Sequence, residues 1–443
     1  MKETGTILEQ FGRFEQQTKQ PSWVYPLRKA GMARFADSGF PTTQLEDWRF
    51  TNVAAIAKLP FKPAWEPHAQ GVTRETVAQL AFGSLDAHRL VFVDGHFAPE
   101  FSSPVANHDG LTATSLSHAL KEQPQLLEKH LSRYASIDQE SSFTALNTAF
   151  FQDGAFIHVA AGSHVSKPVH VLYLTTRGES GATTQLRNLI VVEARSEACV
   201  LENYASLTDG AYFTNAVTEL VAGDSAELEH VKFQDESLSA YHMAGINAVL
   251  GRNSNVILHS IATGARISRN SIRTKLDGEG LECILNGLYL TKKDQLADHH
   301  MVVEHAAPHC NSHEYYNGIL DGKSKGVFHG RILVRKIAQK TDAKQTNKNL
   351  LLSDDATADT KPQLEIYADD VKCTHGATVG QLNEESIFYL RTRGIGMKTA
   401  RRMLIHAFAG EIIERIRNSH AREELDKVVW DRLEANPHLN EPE

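Results

Sequence analysis

A Cys-x-His pair, Cys373 and His375, is the strongest candidate for chemistry in this sequence of 443 residues. It lies within residues 364–380, whose pattern predicts a β-strand and a turn, and alternate side chains of a strand share one face. A thiolate and an imidazole on one face can bind a soft metal such as iron. The small residues Gly376 and Gly380 would let a second backbone or a cluster approach. The alternative is a small buried thiol beside a hydrogen-bonded histidine of the core.

A second group of potential ligands extends from Asp298 to His313 and contains five histidines, one cysteine and two carboxylates. Its spacing matches neither the His-Glu-x-x-His motif nor a zinc finger. Val302, Val303 and Pro308 favour strand and loop over helix. A metal site and a polar ladder across neighbouring strands, with some exposed histidines, therefore both remain open.

The basic, amide-rich run 331–350 lacks the interleaved aromatic residues of a nucleic-acid surface, so ladders of amide and threonine side chains along stacked strands are favoured. Residues 394–399 have the wrong spacing for a phosphate-binding loop, and no G-x-S-x-G motif is present. The acidic residues between 354 and 370 are interpreted as a solvated edge.

Composition and charge are those of an ordinary globular protein, with 41% hydrophobic residues, 23% charged residues and a net charge of -8. The negative charge disfavours a dedicated nucleic-acid binder. No apolar run is long enough to span a membrane, and the first residues resemble neither a signal peptide nor a transit segment. Four cysteines without a close Cys-x-x-Cys pair predict reduced thiols, so we expect a cytoplasmic protein.

The elements that must position these residues fall into three predicted regions. Residues 1–150 are expected to be mostly helical, residues 151–382 to form short β-strands, and residues 383–443 to return to the 3.6-residue period of helices. Helices placed after a β-region could cover its open edge or carry a partner.

Turn-forming clusters recur through the middle region. From Gly223 to Gly251 there are 28 residues and from Gly251 to Gly278 there are 27, whereas the next cluster, at Gly322, follows after 44. Repeats of this length are typical of solenoids, and short strands joined by tight bends favour a β-helix over a β-sandwich with similar strand spacing.

Several segments together resemble the SufB/SufD family of iron–sulfur cluster assembly scaffolds. They are residues 364–380, residues 331–353, Arg393–Ile395, Pro41–Thr51 and Ala145–Phe150. The resemblance covers most of the chain, and its most specific part is the block 331–395. Within the family, residues 375–380 and the N-terminal helical region are similar to the SufD branch rather than to the SufB branch.

This resemblance implies a mainly β fold, namely a right-handed parallel β-helix flanked by N-terminal and C-terminal helical regions. It implies a non-catalytic scaffold subunit of a SufB–SufC–SufD complex, which helps iron entry and de novo cluster formation where the two scaffold subunits meet. His375 would be a ligand of iron or of a transient iron–sulfur cluster shared with a SufB-like subunit, and Cys373 a second candidate ligand. The essential sulfur-accepting cysteine would lie in that partner, so Cys199, Cys283 and Cys310 need no catalytic role.

The resemblance also implies a SufC-like ABC ATPase that docks on the C-terminal helices and reshapes the interface by ATP hydrolysis. The expected docking residues are Phe388, Arg391, Arg393, Gly394, Ile395, Met403 and Phe408. A reduced flavin could serve the complex as electron donor, and the isolated chain could form a homodimer. Neither nucleic acid nor a membrane is expected as a partner.

Two other functions remain to be separated from this one. The chain could be a purely structural partner in which His375 is inert. It could also be a β-helix enzyme acting on polysaccharide, which predicts a groove with converging carboxylates.

Overall fold

The computed structural model describes residues 2–18, 20–66, 71–136 and 141–435. The last eight residues of the predicted C-terminal region, 436–443, lie outside the described residues. The helices are α1 (Lys2–Gln17), α2 (Val24–Ser38), α3 (Ala54–Ala57), α4 (Arg74–Gln79), α5 (Leu116–Glu122), α6 (Pro124–His130), α7 (Ser142–Phe150), α8 (Glu384–Thr392), α9 (Met397–Ile413) and α10 (Ser419–Glu434), with short 3-10 helices at Glu46–Trp48 and Pro99–Phe101.

The early strands are β1 (Lys62–Pro63), β2 (His88–Val93), β3 (His96–Phe97), β4 (Val105–His108), β5 (Leu111–Ser115), β6 (Ala155–Val159) and β7 (Val169–Thr175). The later strands are β8 (Ala182–Val192), β9 (Glu197–Ser206), β10 (Phe213–Ala222), β11 (Glu227–Asp235), β12 (Tyr241–Leu250), β13 (Asn255–Ala262), β14 (Ile267–Leu276), β15 (Glu282–Thr291), β16 (Leu296–His305), β17 (Asn311–Leu320), β18 (Lys325–Val334), β19 (Asp342–Leu351), β20 (Thr357–Ile366) and β21 (Lys372–Gly380).

Successive strands alternate between two parallel sheets. Sheet A has the order β20-β18-β16-β14-β12-β10-β8-β6, and sheet B has the order β21-β19-β17-β15-β13-β11-β9-β7. Each strand pairs in parallel with the strand two positions along the chain, so each pair of strands is one coil of a solenoid. The predicted mainly β fold, a β-helix of about eight turns with helical regions at both ends, is therefore confirmed.

The glycine spacing has a direct structural cause. Gly223, Gly251 and Gly278 occupy the same corner of successive coils, because each lies in the turn between a strand of sheet A and the next strand of sheet B. A β-carbon on Gly251 would lie 3.0 Å from Asp224 N, and one on Gly278 would lie 2.1 Å from Arg252 N, so the stacked turns need glycine there. Gly322 belongs to the opposite corner, between β17 and β18, which explains the interrupted repeat.

The inside of the solenoid is filled by alternate side chains from the two sheets. Apolar residues such as Leu186, Ile190, Leu285 and Met301 are fully buried there. Burial of this kind contributes roughly 25 cal/mol per Å² of apolar surface, which makes the interior the main source of stability.

The two helical regions cover opposite outer faces. On sheet A, Trp48 and Phe143 of the N-terminal region form an apolar cluster with Phe213 and Met243. On sheet B, α9 and α10 form another apolar cluster with the strands, for example through Ile405 against the face that includes Ile319. The C-terminal helices therefore cover a face of the solenoid, while of its last two strands β20 is half-buried and β21 remains largely exposed.

The N-terminal region also contributes strands to the solenoid. β2 pairs in parallel with β7 in sheet B, and β5 pairs antiparallel with β6 in sheet A. This end of each sheet is thus extended by further strands, unlike the end formed by β20 and β21. Within the described residues, none of the helices combines the length and apolar character needed to cross a bilayer.

Candidate functional site

Cys373 and His375 lie on β21, the last strand of sheet B among the described residues. β21 is hydrogen-bonded to β19, with Cys373 opposite Ala343 and His375 opposite Gln345. Residues in register on neighbouring strands share a face, and both Ala343 and Gln345 are buried. The Cys-x-His pair therefore continues the inward-facing side of sheet B at the open end of the solenoid.

The two side chains have different surroundings. Cys373 is partly buried in an apolar cluster with Val334 and Ala343, whereas His375 is exposed. Burial, and secondarily the charge of Asp342, raise the pKa of the Cys373 thiol. The thiol is therefore protonated at neutral pH until a metal displaces its proton.

Beneath His375 the strands carry a buried polar column. Glu314 of β17 is in register with Gln345 of β19, and Gln345 is in register with His375. Gln345 Nε2 donates to Glu314 Oε1 at 3.1 Å, while Gln345 Oε1 has no hydrogen-bond partner among the described residues. Burial raises the pKa of Glu314 to about 7. Gly330 leaves room for this pair, because a β-carbon there would lie 2.7 Å from Gln345 Nε2.

The open end of the solenoid exposes apolar side chains beside unpaired backbone. Tyr367 is 60% exposed and Val379 is 48% exposed. Among the described strands, β20 and β21 are each hydrogen-bonded on one side only. Such an edge of unpaired backbone groups can act as a template for another chain.

The other three cysteines lie in environments that suppress reactivity. Burial raises the pKa of Cys283 to about 12, and it raises the pKa values of Cys199 and Cys310 as well. Cys310 Sγ donates to the backbone oxygen of Gly278 at 3.1 Å. Because the thiolate is the nucleophile and the ligand, these positions fit inert structural thiols.

The histidines of residues 298–313 do not form one site. His299 points into the solenoid, where its ring stacks on Tyr289 with centroids 5.3 Å apart. His305 is also buried, with Nε2 2.8 Å from Ser312 Oγ. His300 lies on the outer face of sheet A beside His329 of the next coil. The inward-facing histidines therefore belong to a polar ladder across neighbouring strands. His300 instead lies beside His329, which is 29 positions further along the chain.

Gln345, Asn347 and Asn349 of the run 331–350 also point into the solenoid, whereas Gln339 lies in the turn between β18 and β19. Asn349 Nδ2 donates to Asn347 Oδ1 at 2.7 Å, and Asn347 Nδ2 donates to the backbone oxygen of Tyr316 at 3.1 Å. Tyr289 donates to Asn349 at 2.5 Å. These bonds form the ladder of amides that the sequence favours over nucleic-acid binding.

A cluster of buried charges inside the solenoid has no signal in the sequence pattern. His230 Nε2 lies 2.9 Å from Glu202, and His242 Nδ1 lies 2.7 Å from Glu236. Lys232 Nζ lies 2.7 Å from His242 Nε2, and burial lowers the pKa of Lys232 to about 8. The charges compensate one another within the core, which fits a structural network.

The residues expected to dock an ATPase lie on α8, on α9 and in the connection between them. Phe388 is 70% exposed, Met403 is 39% exposed, and Arg391, Arg393 and Gly394 are exposed, whereas Ile395 and Phe408 are half-buried. On α8, Ile387 faces inward and is buried. Phe388 and its neighbour Tyr389, 57% exposed, therefore form an apolar surface on the opposite side of this short helix.

Comparison with known proteins adds two family matches. The model described as "SUF system FeS cluster assembly, SufBD core domain" matches residues 173–408, and the model "SufBD protein N-terminal region" matches residues 7–171. The iron-sulfur cluster assembly protein SufD of Escherichia coli (strain K12) is 32% identical over 410 residues, covering 92% of this chain and 93% of the relative. An iron-sulfur cluster assembly SufBD family protein of Synechocystis is 32% identical, covering 85% and 84%, and the chloroplastic protein ABCI7 of Arabidopsis thaliana is 28% identical, covering 92% and 86%.

Proposed function

The chain belongs to the SufB/SufD family of the SUF system for iron–sulfur cluster assembly, and on this premise we propose that it is a SufD-type scaffold subunit. In this role it pairs with a SufB-like subunit, and nascent clusters form where the two meet. The open end of the solenoid supports the proposal, because β21 presents Cys373 and His375 beside a strand edge that another chain can complete. Membership of an assembly family favours this role over a polysaccharide-acting enzyme.

The ligand set on β21 suits transient binding of the cargo. His375 offers an exposed imidazole nitrogen, and Cys373 offers a thiol that must first lose its proton. One or two ligands are too few to hold a stable cluster, so the remaining ligands come from the partner. Incomplete ligation by each subunit also allows release to an acceptor. A reduced flavin, if the complex uses one, acts at the level of the assembled subunits.

The chain itself is proposed to be non-catalytic, with ATP hydrolysis in a SufC-like ABC ATPase bound to α8 and α9. The exposed Phe388 and Tyr389 support this docking surface, because adjacent aromatic side chains on a helix are typical anchors of an interface. We place the complex in the cytoplasm, where thiols stay reduced.

The test of the cluster site is co-purification with SufB-like and SufC-like subunits, comparing wild type, His375→Ala, Cys373→Ser and the control His164→Ala. His164 is an exposed histidine whose Nδ1 lies 3.2 Å from a Glu197 carboxylate oxygen, away from β21. We expect all complexes to assemble, with iron and acid-labile sulfide severalfold lower in His375→Ala than in the control. Equal iron and sulfide in His375→Ala and wild type would leave the chain a purely structural partner.

The docking surface is tested by Phe388→Asp with Ile337→Asp as the matched control. Ile337 is also a strongly exposed apolar residue, at 67%, but it lies in the turn between β18 and β19. We expect Phe388→Asp to lose the ATPase while keeping the SufB-like subunit, and Ile337→Asp to keep both. Retention of the ATPase by Phe388→Asp would contradict docking on α8.

A further inference from the structure

A second cluster of potential metal ligands lies on the outer face of sheet A. His300 of β16 and His329 of β18 are paired in register, and their ring centroids are 4.2 Å apart. Asp47, in the 3-10 helix Glu46–Trp48, lies above them with Oδ1 3.9 Å from His300 Nε2. One ligand atom of each residue lies within 4.8 Å of the other two.

The backbone that carries Asp47 is fixed at this position. Arg269 Nη1 donates to the backbone oxygen of Asp47 at 2.8 Å, and the Arg269 guanidinium lies 3.8 Å from the ring centre of Trp48. Thr51, a few residues on, donates to Asp298 at 2.5 Å. The Asp47 side chain itself is 62% exposed, so it can change rotamer while its backbone stays in place.

The two imidazoles are held ready to act as neutral donors. His329 Nε2 lies 2.7 Å from Gln363 Oε1, and the side-chain amide of Gln363 also hydrogen-bonds Glu46. Since Glu46 accepts, the Gln363 oxygen faces His329, whose Nε2 must carry the proton and whose Nδ1 keeps a lone pair. His300 is more than nine-tenths buried, and its nitrogen nearest to Asp47 is Nε2, so for Nε2 to bind a metal the proton must lie on Nδ1, which has no hydrogen-bond partner among the described residues. Burial lowers the pKa of both rings, which keeps them neutral.

Positive charge near the cluster is largely compensated. Arg269 pairs with Asp298 at 2.5 Å and Arg331 with Glu365 at 3.5 Å. Lys361 pairs with Glu46 at 2.5 Å.

Arg273 also lines this cavity, and its charge contributes to the lowered pKa of His300. Arg269 and Arg331 contribute to the same effect, so a positive field remains at the two rings, and Asp47 is the carboxylate within reach that can offset it.

We propose that Asp47, His300 and His329 form a binding site for a divalent transition metal. Two imidazoles and one carboxylate with open positions are a donor set suited to iron(II), and the cavity of about 630 Å³ beside them can supply water ligands. Metal bonds of about 2.1 Å place ligand atoms roughly 3 Å apart, so the Asp47 carboxylate must move inward by about 1 Å. That iron(II) is the natural occupant rests on the proposed function, and the site would hold iron apart from β21.

The test is binding of Co(II), as a spectroscopic probe, and of Fe(II) under anaerobic conditions to the purified full chain. We expect one Co(II) to bind per chain. Its absorption spectrum should be that of Co(II) with nitrogen and oxygen ligands and should lack a thiolate charge-transfer band. Asp47→Asn and His329→Gln should each weaken binding by about tenfold or more. His313→Ala is the matched control, because His313 Nε2 also lies 3.9 Å from a carboxylate, that of Asp342.

Cys373→Ser and His375→Ala separate this site from the one on β21. If the metal site is real, both variants retain the Co(II) affinity of wild type even where cluster assembly is lost. Wild-type affinity in Asp47→Asn and His329→Gln, both checked for folding by circular dichroism, would overturn the inference. So would loss of the Co(II) signal in Cys373→Ser, since the metal would then be bound by the thiol.

Discussion

Replacement of Glu314 by glutamine tests whether a protonated carboxyl supports the end of the solenoid. Burial raises the pKa of Glu314 to about 7 in the folded protein, against about 4.3 in an unfolded chain. Between these values the unfolded state loses a proton that the folded state keeps, so the free energy of unfolding falls as pH rises. The stabilising contribution is complete below about pH 4.3 and is lost as pH rises through about 7.

The size of the effect follows from the shift. Each pKa unit is worth about 1.4 kcal/mol, so ionisation in the folded state would cost at most about 3 to 4 kcal/mol at high pH. Glu314→Gln keeps the shape and an acceptor for Gln345 Nε2 but removes the titration. We therefore expect the difference in unfolding free energy, wild type minus Glu314→Gln, to fall by about 2 to 3 kcal/mol between pH 5 and pH 8.

The assay is urea unfolding followed by circular dichroism at several pH values, with the slope of each transition compared between the two proteins. All other titrating groups are common to both proteins and cancel in the difference. Parallel stability curves for wild type and Glu314→Gln would refute the reasoning, because they would mean that Glu314 ionises normally inside the folded solenoid.

Two further predictions concern the interior. Arg187 Nη2 lies 2.6 Å from Glu219 in a fully buried pair, and Glu219 also accepts hydrogen bonds from the backbone N–H groups of Ser132, Tyr134 and Ala135. Arg187→Met removes the counter-ion of this carboxylate and should lower the free energy of unfolding by about 3 kcal/mol in urea titrations. A loss below about 1 kcal/mol would contradict the pairing. Gly287→Ala would place a β-carbon 2.0 Å from the Tyr316 ring and should lower the free energy of unfolding by about 1–3 kcal/mol, measured by thermal unfolding. Gly376→Ala, where a β-carbon would have no atom within 4 Å, should leave the melting temperature unchanged. Equal effects of the two substitutions would argue against tight packing at Gly287.

The fold could be predicted because the solenoid repeats a local rule. Each corner needs a tight turn at a fixed chain distance, and Gly223, Gly251 and Gly278 show this distance directly. In the corner between β16 and β17, Ala307 stands where the preceding corners have glycine, and His309, with φ of 59°, corresponds to Ser225 and Asn253. The count from Gly278 to Gly322 therefore joined two different corners. Spacing reveals a repeat only where the same residue type serves the same corner.

The cluster of Asp47, His300 and His329 could not be predicted from residues that are close together in the sequence. His299 and His300 are adjacent in the chain but point to opposite faces of sheet A, because side chains alternate along a strand. His300 instead meets His329 one coil later and Asp47 from the N-terminal region. The register between successive coils brings His300 beside His329, and the path of residues 45–51 over sheet A brings Asp47 to both. Neither can be predicted from the local sequence pattern.

The one-sided pairing of the last coil has a dynamic consequence. In a stack where each repeat contacts only its neighbours, the terminal repeat opens at the lowest free energy. The amide hydrogens of β20 and β21 should therefore exchange with solvent before those of the inner strands. Reversible fraying of this coil would carry His375 away from its place beside Gln345 while the inner coils stay folded. A chain that docked on β21 would stop this fraying. The same binding step would then order the strand and fix the positions of Cys373 and His375.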